Sequence, residues 1–94
     1  MNMKHSIKNI LYHELIGLKV RIALHTDPSL VNREGVVIWE TMKTLVIRER
    51  SGKEITVLKE NGVFEIELPN GKKVMVEGIK ILGRPEDRVK KLKC

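Results

Sequence analysis

The sequence is short of rings, of cysteine and of long apolar runs. Its three aromatic residues are Tyr12, Trp39 and Phe64, and its single cysteine is Cys94. One cysteine excludes a disulfide framework within the chain and fits a reducing compartment. No apolar run approaches the roughly 20 residues needed to span a bilayer. The first residues, Met1 to Ser6, lack the apolar core and cleavage site of a secretory signal. A cytoplasmic protein with no membrane partner is the expectation. Three rings, some of them needed for a core, undersupply the base stacking by which single-stranded RNA is usually read. Contacts to phosphates and to the shape of folded RNA are better supplied.

Signatures of catalysis are also missing. There is no glycine-rich phosphate loop, nucleophile elbow, Cys-x-x-Cys pair or His-Glu-x-x-His run. His5, His13, His25 and Cys94 show no metal-ligand spacing. The expectation is a chain with no catalytic residues and no metal or cofactor of its own. A free-standing nuclease is the least supported reading.

What the sequence has in quantity is charge. Lys and Arg number 18 against 12 acids, a net charge of +6 in 94 residues. That excess favours polyanion partners. One domain, residues 1–94, is expected at this length. So small a chain buries only roughly 60–65% of its unfolded surface, which leaves little room for a deep cavity.

Periodicity changes once along the chain. Ile7, Ile10, Leu11 and Leu15 fall at helical spacing, with Ser6 placed to cap and Gly17 to stop, so a helix is expected over about 6–16. From Leu18 the period becomes two. Leu18, Val20, Ile22 and Leu24 alternate with Lys19, Arg21, Ala23 and His25, the pattern of a strand with one buried face. Further short strands are expected at 35–39, 44–48, 54–58, 63–68, 72–76 and 79–82. Asp27-Pro28-Ser29 marks a turn, and Asn70-Gly71 is a strong hairpin signal. Six or seven short antiparallel strands imply an all-β fold, a small closed barrel. A second short helix is expected over about 85–92, with Pro85 at its start and Val89 and Leu92 as its apolar anchors.

The charge is uneven. Residues 84–94 carry five bases against two acids, whereas residues 55–83 carry four against four. An RNA surface is expected where the tail meets the early strands and not on the 55–70 hairpin, where Glu65 and Glu67 would repel phosphate. The candidate phosphate contacts are Lys19, Arg21, Lys43, Arg48, Arg50, Lys53, Lys72, Lys73, Lys80, Arg84 and Arg88. The competing explanation for each is a solvated face with loose ion pairs. Ile7, Ile10 and Leu11 on the first helix, Val37 and Trp39 on a strand apolar on both faces, and Val89 and Leu92 in the tail are candidates for a protein-partner surface. Their competing explanation is ordinary plugging of the barrel ends.

Five blocks in order resemble one known family. They are His13-Glu14-Leu15-Ile16-Gly17-Leu18-Lys19-Val20, then Asp27-Pro28-Ser29-Leu30-Val31, then Thr44-Leu45-Val46-Ile47. Val63-Phe64-Glu65-Ile66-Glu67-Leu68-Pro69-Asn70-Gly71 and Gly83-Arg84-Pro85-Glu86-Asp87-Arg88 complete the set. The chain is similar, over nearly its whole length, to the archaeal ribonuclease P protein component 1 family, counterpart of a eukaryotic ribonuclease P/MRP subunit. The resemblance implies an Sm-like or SH3-like β-barrel with helical ends. It implies a non-catalytic subunit of a ribonucleoprotein that removes the 5′ leader of precursor tRNA. Its partners would be ribonuclease P RNA, which holds the Mg2+ ions and performs the hydrolysis, a zinc-ribbon protein called component 4, other ribonuclease P proteins and, indirectly, precursor tRNA. The Gly83-Arg84-Pro85 region departs from the uridine-reading motif of ring-forming Sm proteins, which speaks against a self-assembled ring. The alternative from a different class is an SH3-like module that binds an acidic protein and no RNA.

Overall fold

The computed structural model describes residues 15–83. The helices expected over 6–16 and 85–92 fall almost wholly outside that span. Ile7, Ile10, Leu11, Arg84, Arg88, Val89 and Leu92 lie outside it as well.

Six strands form one antiparallel sheet. They are β1 (Lys19–His25), β2 (Glu34–Glu40), β3 (Thr44–Arg48), β4 (Glu54–Leu58), β5 (Gly62–Glu67) and β6 (Lys73–Glu77), in the spatial order β4-β3-β2-β1-β5-β6. Along most of each strand burial alternates from one residue to the next, so each strand turns one face inward. All six bury it in the same place. Val20, Ile22, Val37, Leu45, Ile47, Ile55, Val57, Phe64, Ile66 and Val76 make one core, joined by Leu15, Leu68 and Ile81. A single sheet with no second layer can shield such a face only by coiling around it. Each large side chain shut away in this manner contributes roughly 1.5–3 kcal/mol.

The barrel is left open in its hydrogen bonding, with β4 and β6 as the sheet edges. The edges meet at one corner. Gly78, which follows β6, passes so close to Lys59, which follows β4, that a Cβ at Gly78 would overlap the Lys59 carbonyl oxygen. His25, the last residue of β1, ties that strand to the end of β4. Its Nδ1 accepts from the Asp27 amide at 3.0 Å, so its Nε2 is left to donate to the Leu58 carbonyl at 3.1 Å. The strand expected at 79–82 is instead a 3-10 turn over Gly78–Ile81. It seats Ile81 in the core and extends no ladder.

Two irregularities overturn the simple alternation. In β1, Ile22 faces Phe64 and Leu24 faces Val63, so β1 carries one extra residue. In β2, Val37 faces Ile47 and Trp39 faces Val46, with the same consequence. A β-bulge of this kind shifts every later side chain to the opposite face. Leu24, expected inside, is 62% exposed, and Trp39 is 59% exposed. Past the second bulge Glu40 points inward and is buried.

Candidate nucleic-acid interface

The outer face of the sheet follows from the strand register. One row runs across all six strands: Lys73 opposite Glu67, Glu67 opposite Lys19, Lys19 opposite Val36, Val36 opposite Arg48 and Arg48 opposite Glu54. Bases and acids alternate along it, apart from the neutral Val36. Beside this row Arg21 lies opposite both Glu34 and Glu65 and reaches Glu65 at 3.1 Å. Arg21 also donates to Asn32 Oδ1 at 2.9 Å. Cross-strand pairs of opposite charge each add a few tenths of a kcal/mol, roughly 0.2–1. The wet face of the barrel is therefore a balanced lattice and not a continuous positive sheet. From residue 15 to 83 the sequence has eleven bases against nine acids, a net of only +2.

Positive character survives locally. Beside Val36, the break in the row, a groove of about 710 Å³ crosses β1, β2 and β3. Val36 and Ile38 give it an apolar lining, and Lys19, Arg48 and Arg50 bring three cations to it. Gly35 sits so close to the Arg48 carbonyl that any side chain there would collide with it. Glu34 and Glu49 oppose the cations, but Glu49 is held by Arg33 through two hydrogen bonds of 2.7 Å. The Arg33 guanidinium holds the Glu49 carboxyl below the ordinary carboxylate range, with a lesser contribution from Lys53. The same pair raises the Arg33 value further. Arg48 reaches Glu54 at 3.0 Å with both side chains about half exposed, a contact that water screens. An apolar bed flanked by guanidinium and ammonium groups suits a nucleotide, with cations on the phosphate and hydrocarbon or guanidinium planes under the base.

The expected cations divide into groups. The structure brings Lys19, Arg48 and Arg50 together in this groove, and Lys53 lies in the turn just beyond Arg50. Lys19, Arg21 and Lys73 meet in a second groove of about 210 Å³, where Glu34, Glu65 and Glu67 match them one for one. Lys43, Lys72 and Lys80 line neither groove. Lys43 lies in the β2–β3 turn, Lys72 in the β5–β6 turn, and Lys80 stands 3.8 Å from Glu77. Among the described residues, Lys19, Lys43, Arg50, Lys53, Lys72 and Lys73 make no ion pair. Val37 is a correction. It is fully buried in the core and cannot reach a partner, whereas Val36 and Trp39 on the same strand are exposed.

Sequence reasoning missed three charged residues that organise the barrel. Arg33 restrains the acid beside the groove. Glu40 and Lys59 form an ion pair inside it, Oε2 to Nζ at 2.7 Å, with side chains 1% and 0% exposed. Nothing in the local pattern marks Glu40, because only the preceding bulge turns it inward. Lys59 continues the inward alternation of Ile55 and Val57, which was the available signal.

Comparison with known proteins decides the lineage. The family model described as "Ribonuclease P/MRP, subunit p29" matches residues 8–91. The chain belongs to this family. It is 54% identical over 90 residues to ribonuclease P protein component 1 of Staphylothermus marinus, covering 96% of this chain and 98% of that one. The corresponding protein of Desulfurococcus amylolyticus is 50% identical, with 94% and 96% covered. A solved structure described as Mth11, a homologue of the human RNase P protein Rpp29, aligns with a TM-score of 0.60 and 43% identity, covering 81% of this chain and 97% of that chain. The chain is thus a protein subunit of ribonuclease P, and its partners are other components of that enzyme. Its all-β architecture is the Sm-like or SH3-like barrel expected, with six strands and an open ladder. Among the described residues no helix is long and apolar enough to cross a membrane.

Proposed function

We propose that the chain binds and stabilises the catalytic RNA of ribonuclease P during removal of the 5′ leader from precursor tRNA. In this reading the RNA holds the Mg2+ ions and carries out hydrolysis, in the cytoplasm. The protein contributes cationic surface and shape and no reacting group. The observation that carries the proposal is the groove of Lys19, Arg48 and Arg50 over Val36 and Ile38, in a chain of net charge +6 from this family. The balanced lattice elsewhere supports a restricted contact in place of a whole-face one. The terminal segments, with Arg84 and Arg88, supply the remaining charge.

The test is binding to the cognate ribonuclease P RNA across a salt series. Each lost phosphate contact should lower the slope of log affinity against log salt by about 1. Lys19→Ala with Arg50→Ala, and separately Arg84→Ala with Arg88→Ala, should each weaken binding and flatten that slope. Affinity that stays constant across a fourfold rise in salt, or cleavage of precursor tRNA by the protein alone, would overturn the proposal.

Trp39, 59% exposed, and Met42, exposed three positions further along the chain, favour a protein contact in addition. We assign it to a neighbouring ribonuclease P protein, the zinc-ribbon component 4. The competing reading, a module that binds an acidic protein and no RNA, predicts that every partner stays bound after ribonuclease treatment and that no RNA fragment is protected.

A further inference from the structure

Lys59 Nζ donates at 2.7 Å to Glu40 Oε2, at 2.7 Å to the Thr41 carbonyl and at 3.0 Å to the Gly83 carbonyl, with Met42 O more distant at 3.4 Å. An ammonium has three protons, and these three short contacts use them. The other Glu40 oxygen, Oε1, accepts from the Leu15 amide at 3.4 Å. Gly83 in turn donates its amide to the Met42 carbonyl at 2.7 Å. One buried ion pair therefore joins four separate parts of the chain: Leu15, four residues before β1; the end of β2 with the turn that follows it; Lys59, just past β4; and Gly83, two residues past the final 3-10 turn.

Stability alone does not explain the arrangement. A buried pair is often matched or bettered by apolar residues of similar volume. What an ion pair supplies and a leucine does not is polarity of fixed sense: a carboxylate for one incoming amide and an ammonium for one outgoing carbonyl. Those two backbone groups belong to Leu15 and Gly83, the first and last of the described residues. The sequences on either side, residues 1–14 and 84–94, carry a net +4 of the total +6. Most of the excess charge thus belongs to residues 1–14 and 84–94 of the sequence, and the two described residues next to them, Leu15 and Gly83, are bonded to the same pair.

We infer that Glu40 and Lys59 are positioning residues for RNA binding, a clasp that fixes Leu15 and Gly83, the two points at which the described barrel joins the basic sequences 1–14 and 84–94. The functional half of this inference rests on the RNA-binding role proposed above. The structural half does not.

The full-length double variant Glu40→Gln with Lys59→Met tests it, because it keeps the net charge at +6 while removing the clasp. Amide hydrogen exchange at Leu15 and Gly83 should accelerate at least about tenfold. Exchange at core amides such as Ile22, Ile47 and Phe64 should change by less than about threefold. Affinity for the cognate RNA should fall about tenfold at fixed salt, and the reversed pair, Glu40→Lys with Lys59→Glu, should not restore it. The reversed pair keeps the attraction but presents a carboxylate to the Gly83 carbonyl. Unchanged exchange at Leu15 and Gly83 would overturn the clasp. Faster exchange with unchanged RNA affinity would overturn its role in binding. If the double variant does not fold, native-state exchange of the wild-type chain decides: Leu15 and Gly83 should open together under mild denaturant, and independent opening would overturn the clasp. Wild-type protein that binds no RNA would remove the proposed function and leave the exchange result standing.

Discussion

Arg33 and Glu49 meet side to side, Nε to Oε2 and a terminal nitrogen to Oε1, each at 2.7 Å. The contact holds the start of β2 to the turn after β3 and keeps an acid occupied at the edge of the groove.

The acid limb of stability should report this pair. Glu49 is held below its ordinary value by Arg33, and Asp27 by the hydroxyl and amide of Ser29. A carboxyl lowered in the folded state contributes stability above its unfolded value, about 4, and that contribution is lost as pH falls through the folded value. Melting temperature should therefore drop on acidification below about pH 4. Glu49→Gln combined with Asp27→Asn should melt lower at neutral pH and lose less on acidification. An acid limb of unchanged steepness in the double variant would count against the assignment.

Removing half of the Glu40–Lys59 pair should harm the protein more than removing both halves. Lys59→Met alone removes the Lys59 ammonium from a carboxylate with 1% exposure, a change that costs about 3–5 kcal/mol. The double variant with Glu40→Gln should recover much of that loss in urea unfolding. Simple additivity of the two single changes would show that the pair is not coupled.

Gly78 is required by crowding and not by an unusual dihedral. A methyl group there would strike the Lys59 carbonyl and crowd the Phe64 ring. Gly78→Ala should lower unfolding free energy by about 2–3 kcal/mol, the scale of overpacking. Gly71→Ala has open space around it but a φ of +88°, and should lose only about 1 kcal/mol. Equal losses would mean that the barrel corner is looser than its contacts indicate.

The β2 bulge makes a prediction about neighbouring positions. Trp39→Ser should change stability by no more than about 0.5 kcal/mol, whereas Val37→Ala should lose about 2 kcal/mol. Denaturant titration of the two variants checks it. A large loss at Trp39 would place that ring in the core.

Much of the barrel could be read from the chain, for definite reasons. Alternation placed β1, and short apolar runs bounded by turn residues placed β3 and β4, within a residue or so of their observed ends, while Asn70-Gly71 located the β5–β6 hairpin. The five family blocks identified the lineage, which charge and periodicity could not have done. Register was hidden, because alternation says which face a side chain takes and not which residue it opposes. Arg21 thus read as a phosphate contact, although it faces Glu65. The bulges were hidden for a related reason: Leu18 to His25 alternates without a flaw, and no glycine or proline signals the extra residue. Leu24 was misjudged on that account, Val37 because its strand is apolar on both faces, and Glu40 and Lys59 went unnoticed because ionised groups are seldom shut inside.

Among the described residues, β4 and β6 are the two margins of the unclosed ladder, each with a strand partner on one side only. Such margins are templates on which identical molecules can stack into filaments. Here Glu54 stands at the head of one margin, and Lys73 and Glu77 bracket the other. Parallel, in-register stacking of like margins would oppose equal charges at these posts. An incomplete barrel can in this way stay dispersed until it joins its assembly.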